Sequence, residues 1–188
     1  SPGVPDFYQG TELWDFSLVD PDNRRPVDFG KRIKLLEELK QREEENRPSL
    51  IHDLLTRWSD GKIKLYVTYK GLSFRRSHRS LFEEGDYIPI DVDGIRDHIC
   101  AFARQKGQAW ALVAAPRLIT KLLGGERPPL GEEVWGSSAL VLPEDTPESW
   151  LNIFTGEELK VIFSEQRKLL PLASALQTFP LALLTPLN

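Results

Sequence analysis

The chain has 188 residues, enough for one large domain or two small ones and for burial of about 70% of the surface its unfolded form exposes. With hydrophobic residues at 40%, charged residues at 28% and a net charge of −4, it reads as globular and carries no global attraction to nucleic acid or an anionic membrane. The one cysteine, Cys100, excludes an intrachain disulfide and a cysteine-rich zinc site, and no apolar run reaches the roughly 18 residues that span a bilayer.

The chain lacks methionine and opens on Ser1-Pro2-Gly3-Val4-Pro5, which reads as the interior of a longer protein. No signal peptide opens the chain, and a cytoplasmic location is the expectation. Val4, Phe7 and Tyr8, framed by Pro2, Pro5 and Gly10, suit a short buried strand with its prolines at the edge or beginning. A long polar loop follows from Thr11 to Asp28, and Pro21-Asp22-Asn23 within it is turn chemistry. Loops of that length in compact domains are usually functional or disordered.

Three helical stretches come next. Phe29, Ile33, Leu36 and Leu39 form one apolar stripe over about Gly30 to Asn46, and Glu43-Glu44-Glu45 at its end reads most simply as a solvated face. Leu50, Ile51, Leu54, Leu55 and Trp58 mark a second helix from Pro48, a residue suited to a first helical turn. Between Asp60 and Phe82 the pattern fits either period. Ile63, Leu65, Val67 and Tyr69 alternate like a strand, yet Ile63, Val67, Phe74 and Leu81 share one helical face and Leu65, Tyr69 and Leu72 the opposite one. A helix with Asp60 as N-cap, buried on two sides, is the expectation.

Beyond Glu83 the texture turns to strands. Tyr87 to Val92 alternates and ends at Asp93-Gly94. His98 to Arg104 and Ala109 to Ala115 form a hairpin, and Arg117 to Leu123 a short helix closed by Gly124-Gly125. Ser138 to Leu142, Trp150 to Phe154 and Leu181 to Leu184 are further strands. The sum is an antiparallel sandwich or open barrel, with the boundary between the two parts near Phe82.

Few of the chemical motifs stand up to weighing. His52, His78 and His98 have no paired ligand spacing, so no metal site is expected. His52-Asp53 sits on a helix without a nucleophile motif, and Cys100 among Ile99, Ala101 and Phe102 reads as a buried structural thiol. Lys62, Lys64, Lys70, Arg75, Arg76 and Arg79, interleaved with aromatics, suggest single-stranded nucleic acid. On a helix, however, they spread around its circumference instead of forming a one-faced footprint, so no nucleic-acid partner is expected. The Glu12 to Asp28 loop is the sharpest local feature. Carboxylates, an amide and arginines are what a sugar-binding rim needs, with Trp14 stacking on a pyranose or packing under the loop. The alternative is a surface loop whose Asp and Arg residues pair with one another.

Pro2-Gly3-Val4-Pro5-Asp6-Phe7-Tyr8-Gln9-Gly10-Thr11-Glu12 resembles the eighth-strand segment of the α-amylase superfamily. The continuation Leu13-Trp14-Asp15, then Leu18-Val19-Asp20-Pro21-Asp22-Asn23-Arg24-Arg25-Pro26-Val27-Asp28, is narrower and resembles the maltooligosyltrehalose synthase family. Asp60-Gly61-Lys62-Ile63-Lys64-Leu65-Tyr66, Gly85-Asp86-Tyr87, Ala101-Phe102-Ala103-Arg104, Ala114-Ala115-Pro116-Arg117-Leu118 and Glu133-Val134-Trp135-Gly136 extend the likeness along the chain.

The resemblance implies an α+β fragment. Residues 1–82 would be the end of a catalytic (β/α)8 barrel, comprising its last strand, rim loop and helices. Residues 83–188 would be an all-β antiparallel, sandwich-like C-terminal domain. It also implies an intramolecular transglycosylation that converts the reducing-end α-1,4 linkage of a maltodextrin into an α,α-1,1 linkage, with no cofactor. The catalytic Asp, Glu and Asp would lie upstream of Ser1, leaving this chain inactive alone. Barrel active sites lie at the C-terminal ends of strands, so Glu12, Asp22, Asn23 and Arg24 become the candidate contacts to a maltodextrin or glycogen-derived glucan. A strand severed from its barrel would leave residues 1 to about 28 irregular, mobile, or held by another copy of the chain. A non-catalytic glucan-binding module is the competing reading.

Overall fold

The computed structural model describes residues 7–18, 22–125 and 127–187. Backbone contacts divide the chain into two units, 1–70 and 71–188. Among the described residues, no helix is long and apolar enough to cross a membrane.

In the first unit, Phe7 and Tyr8 carry no strand, the described residues to Leu18 form no regular helix or strand, and Asp22–Arg24 make a 3-10 turn. Val4 and the rest of the expected strand lie outside the described residues. Helix α1 then spans Phe29–Thr56, its first turn capped by Asp28, whose carboxylate accepts the Lys31 backbone N–H. The helix kinks at Asn46 (φ −161°, ψ 85°). Asn46 is itself a cap, since its side chain accepts the Ser49 N–H at 3.0 Å. Pro48 follows where its missing N–H costs nothing. The two helical stretches read from the sequence are therefore the two arms of one kinked helix.

Burial along α1 is uneven. Leu39, Leu50, Ile51 and Leu54 are buried, but Phe29 and Ile33, at the front of the expected stripe, are more than half exposed at 52% and 58%. Glu43 corrects the expectation of a solvated acidic end. Its carboxylate takes the Lys70 ammonium at 2.6 Å and the Arg47 guanidinium at 3.2 Å, with only 9% of the side chain exposed. The Tyr66 hydroxyl donates to the same carboxylate at 3.3 Å. Burial, and next the charge of Glu43, push the Tyr66 phenol far above its ordinary range, so it remains a donor. Glu44 and Glu45 are exposed, as expected.

The ambiguous third stretch is helical. Helix α2 spans Lys62–Ser77, and Asp60 accepts the Lys62 N–H at 2.9 Å. It does not continue to Phe82. The chain leaves helical geometry at His78 (φ −115°) and restarts as α3, Arg79–Glu84. Leu65, Tyr66 and Phe74 are buried, but Leu72, expected on an interior face, is exposed.

The second unit is all-antiparallel beyond α3. Strands β1 (Asp86–Pro89), β2 (Asp91–Asp93), β3 (Ile99–Lys106) and β4 (Ala109–Pro116) are followed by short helices α4 (Thr120–Leu123) and α5 (Gly131–Trp135). Then come β5 (Ala139–Leu142), β6 (Ser149–Asn152), β7 (Glu158–Lys160), β8 (Ile162–Ser164), β9 (Arg167–Pro171), helix α6 (Leu172–Ala175) and β10 (Ala182–Pro186). They make a six-stranded sheet ordered β1-β3-β4-β10-β6-β7 and a four-stranded sheet ordered β2-β5-β9-β8. Trp110, Leu112 and Trp150 from the first sheet and Leu140, Leu142 and Leu170 from the second share one core. The expected strand Tyr87 to Val92 is split at Ile90. Its first half lies at the edge of one sheet and its second half at the edge of the other. The same thing happens at Val161, where β7 passes into β8.

Cys100 is exposed, not buried. On β3 the residues with core burial are Ile99 and Ala103, and Cys100 points to the opposite face. The apolar run around it had concealed that alternation. Lys168 carries its charge inside, donating to the carbonyls of Glu144 at 2.8 Å and Thr146 at 2.6 Å and so tying down the β5–β6 connection.

The hairpin β8–β9 turns on Glu165 (φ 49°) and Gln166 (φ 62°). Both central positions are left-handed, a geometry that glycine and asparagine adopt at least cost. Gln166→Gly is expected to stabilise the chain by about 1 kcal/mol, read as an upward shift of the urea midpoint. A lower midpoint would show that the glutamine makes a compensating contact.

Candidate functional site

The polar loop folds against the start of α1. Gly10 sits at φ +93°, which lets the chain reverse there. Arg32, one turn into α1, reaches back to it. Its Nε donates to Glu12 at 2.9 Å, one terminal nitrogen to the Gly10 carbonyl at 2.6 Å, and the other to the Asp28 carbonyl at 3.2 Å. Farther along, the Trp14 indole donates to the Trp58 carbonyl at 2.7 Å and meets the Trp58 ring edge-on. Gly61 lies against it, where a Cβ would come within 3.0 Å of the Trp14 backbone nitrogen. Lys64 donates to the Leu13 carbonyl and lies over the Trp14 ring. Trp14 is thus held against Trp58, Gly61 and Lys64 while 38% of it stays exposed.

A cleft of about 390 Å³ opens between the loop and α1, lined by Trp14, Asp15, Asp22, Arg25, Asp28 and Arg32 among others. Asp22 accepts the Leu18 N–H at 3.0 Å and pairs with Arg25. Asp15 accepts the Ser17 N–H at 2.9 Å. Donation from Ser17, by side chain and backbone, holds the Asp15 carboxyl below the usual carboxylate range, so it is ionised at neutral pH.

Of the four residues read from the sequence, Asp22 lines the cleft. Glu12 lies behind it, held by Arg32, and Arg24 is exposed in the 3-10 turn to which Asn23 also belongs. Arg32 was missed because its partners lie 20 and 22 residues away. The one available signal was a basic residue just inside a helix capped by the loop's last aspartate.

The other motifs resolve structurally. Asp53 is held by Arg42 at 2.6 Å, a hydrogen bond that lowers its pKa, while His52 is exposed. Within the basic stretch, Lys62 pairs with Glu38, Lys70 with Glu43 and Arg79 with Glu83. Among the described residues, no three His, Cys, Asp or Glu side chains converge as metal ligands. The second unit has its own cleft of about 540 Å³, lined in part by Asp91, Asp93, Arg96, Cys100 and Arg167, with Arg167 closing on Asp93 at 3.0 Å.

No protein-family model matches the chain. Proteins of two Mycobacterium tuberculosis strains, both named as maltooligosyl trehalose synthase, are 36% identical to it over 156 residues. That is 82% of this chain and 16% of each relative, so the chain spans about a sixth of the length of the curated relatives it matches. A solved structure, a mutant maltooligosyltrehalose synthase from Arthrobacter ramosus, aligns over 98% of the chain and 20% of its own length, at 31% identity and a TM-score of 0.68. The chain is an α+β protein built on antiparallel sheets. Over the matched residues it belongs with the maltooligosyltrehalose synthases.

Proposed function

We propose that this chain is the C-terminal part of a maltooligosyltrehalose synthase, a cytoplasmic enzyme. Its reaction is an intramolecular transglycosylation. The reducing-end α-1,4 linkage of a maltodextrin breaks, and an α,α-1,1 linkage forms between the same two glucose units. Water is neither consumed nor released. On this reading, residues 1–82 close the catalytic barrel and residues 83–188 form its β-domain. The reading is carried by the 36% identity over 82% of the chain.

The chain's own contribution is a polar rim beside the reducing-end sugars. Glu12, Asp22, Asn23 and Arg24 are its substrate contacts or their supports. Carboxylate and guanidinium groups bind sugar hydroxyls through charge-assisted hydrogen bonds, and the Asp22 side of the cleft offers both kinds of group. No redox cofactor is required, because the linkage is exchanged without oxidation or reduction.

In the complete synthase, Asp22→Ala and Arg24→Ala are each expected to lower kcat/KM for maltopentaose about ten- to a hundredfold, the worth of a hydrogen bond to a charged group. Circular dichroism should stay unchanged. Unaltered kinetics in both variants would remove the loop from the site.

A further inference from the structure

We infer that Arg32 is a positioning residue that sets the shape of the rim loop, an inference resting on the reading just given. Three features carry it. First, the guanidinium spends all three nitrogens on the protein, at Glu12, at the Gly10 carbonyl and at the Asp28 carbonyl. With 18% of its side chain exposed, it forms part of the cleft wall without offering a free fork to a ligand. Second, its partners stand in the chain on either side of Trp14, Asp15, Asp22 and Arg25, which line the cleft. Gly10 and Glu12 lead into Trp14 and Asp15, and Asp28 ends the loop as the cap of α1. One planar guanidinium, bonded on all three nitrogens, therefore fixes the separation of the loop's entry from its exit, and with it the place of Asp15 and Asp22. Third, the backbone it holds is the reversal at Gly10 (φ +93°), which the Thr11 N–H and hydroxyl close onto the Tyr8 carbonyl and which Arg32 ties to α1 through the Gly10 carbonyl.

Glu12 takes a different role on this account. It is the counter-ion that aims Arg32, not a sugar ligand. The three bonds also define what a substitute can do. A lysine ammonium keeps the charge and can reach Glu12, but it lacks the planar fork that serves Glu12 and two carbonyls together. Charge and geometry are thereby separable.

The test uses the complete synthase carrying Arg32→Gln, Arg32→Lys or Glu12→Gln, with maltopentaose as substrate and melting temperature as the stability readout. Arg32→Gln is expected to raise KM about tenfold, with kcat within about twofold, the effect of losing charge-assisted hydrogen bonds that place the binding groups. Arg32→Lys should regain the melting temperature and leave KM raised. If lysine restores both, or if KM never moves, the positioning role is overturned. Should Arg32→Gln fail to fold, Glu12→Gln carries the measurement. It leaves the two carbonyl bonds intact, and a KM rise of about threefold supports the role, whereas an unchanged KM overturns it. Normal kinetics in the Arg32 and Glu12 variants, alongside impaired Asp22→Ala and Arg24→Ala, would overturn this inference alone. Normal kinetics in all of them would remove the site itself.

Discussion

Incubated alone with maltopentaose, the 188-residue chain is expected to yield no α,α-1,1-linked product and no shorter maltodextrins. Transfer between sugars needs a carboxylic acid with a raised pKa to protonate the leaving oxygen, and a second carboxylate free to attack or stabilise. The cleft supplies neither. Asp15 is held ionised by Ser17, so it has no proton to give at neutral pH. Glu12 is bound by Arg32, Asp22 by Arg25 and the Leu18 N–H, and Asp28 by the Lys31 N–H that it caps. Loss of general acid–base catalysis alone costs about 10²- to 10⁴-fold, and loss of the nucleophile compounds it. Chromatography after long incubation checks the expectation. Product formed at the roughly 1–10³ turnovers per second of an ordinary enzyme would mean that a complete catalytic set lies within these residues, contrary to the proposed division of labour.

The second large effect lies in the helices. Replacing Lys70 by Met is expected to destabilise the chain by about 3 kcal/mol, because it strands a nearly buried carboxylate. Glu43 keeps Arg47 and the Tyr66 hydroxyl, which places the figure at the low end of the range for a broken buried pair. Urea denaturation of Lys70→Met, Glu43→Gln and the double variant measures the coupling. The double variant should recover part of the loss, since the nearly buried carboxylate is then gone and only Arg47, a third exposed, loses its partner. A loss below about 0.5 kcal/mol for Lys70→Met would place the pair among ordinary surface ion pairs.

That network also marks where sequence reading stops. The two arms of helix α1 were legible as two helices, because Pro48 is a local signal whose physics acts within one turn, but their union across the Asn46 kink was not. The burial of Glu43 was not, because its partners Lys70 and Tyr66 lie 27 and 23 residues away. Helix α2 was chosen over a strand on two-faced periodicity, and its early stop at His78 carried no Gly or Pro to announce it. The β3–β4 hairpin could be read from Gly107, whereas β8–β9 was missed because Glu165-Gln166 fills a turn that normally advertises itself with glycine. In the loop, residue types pointed to a sugar-binding rim and its alternative of internal Asp–Arg pairing. Asp22 pairs with Arg25 and still lines the cleft, so the two readings were never exclusive. Cys100 was misjudged because a strand flanked by apolar residues on both faces hides which side meets the core.

The crossings at Ile90 and Val161 have a consequence for how the β-unit meets other chains. A sheet margin with unpaired N–H and C=O groups is an invitation to a foreign strand. Here each such margin is only three or four residues long before the same strand turns into the opposite sheet. An incoming strand would find too few consecutive partners on either sheet to hold a register. The two sheets are also stitched along both sides, so neither can peel away without dragging its counterpart. Amide exchange should therefore show the two sheets opening as a single unit, with matched protection on β4 and β9.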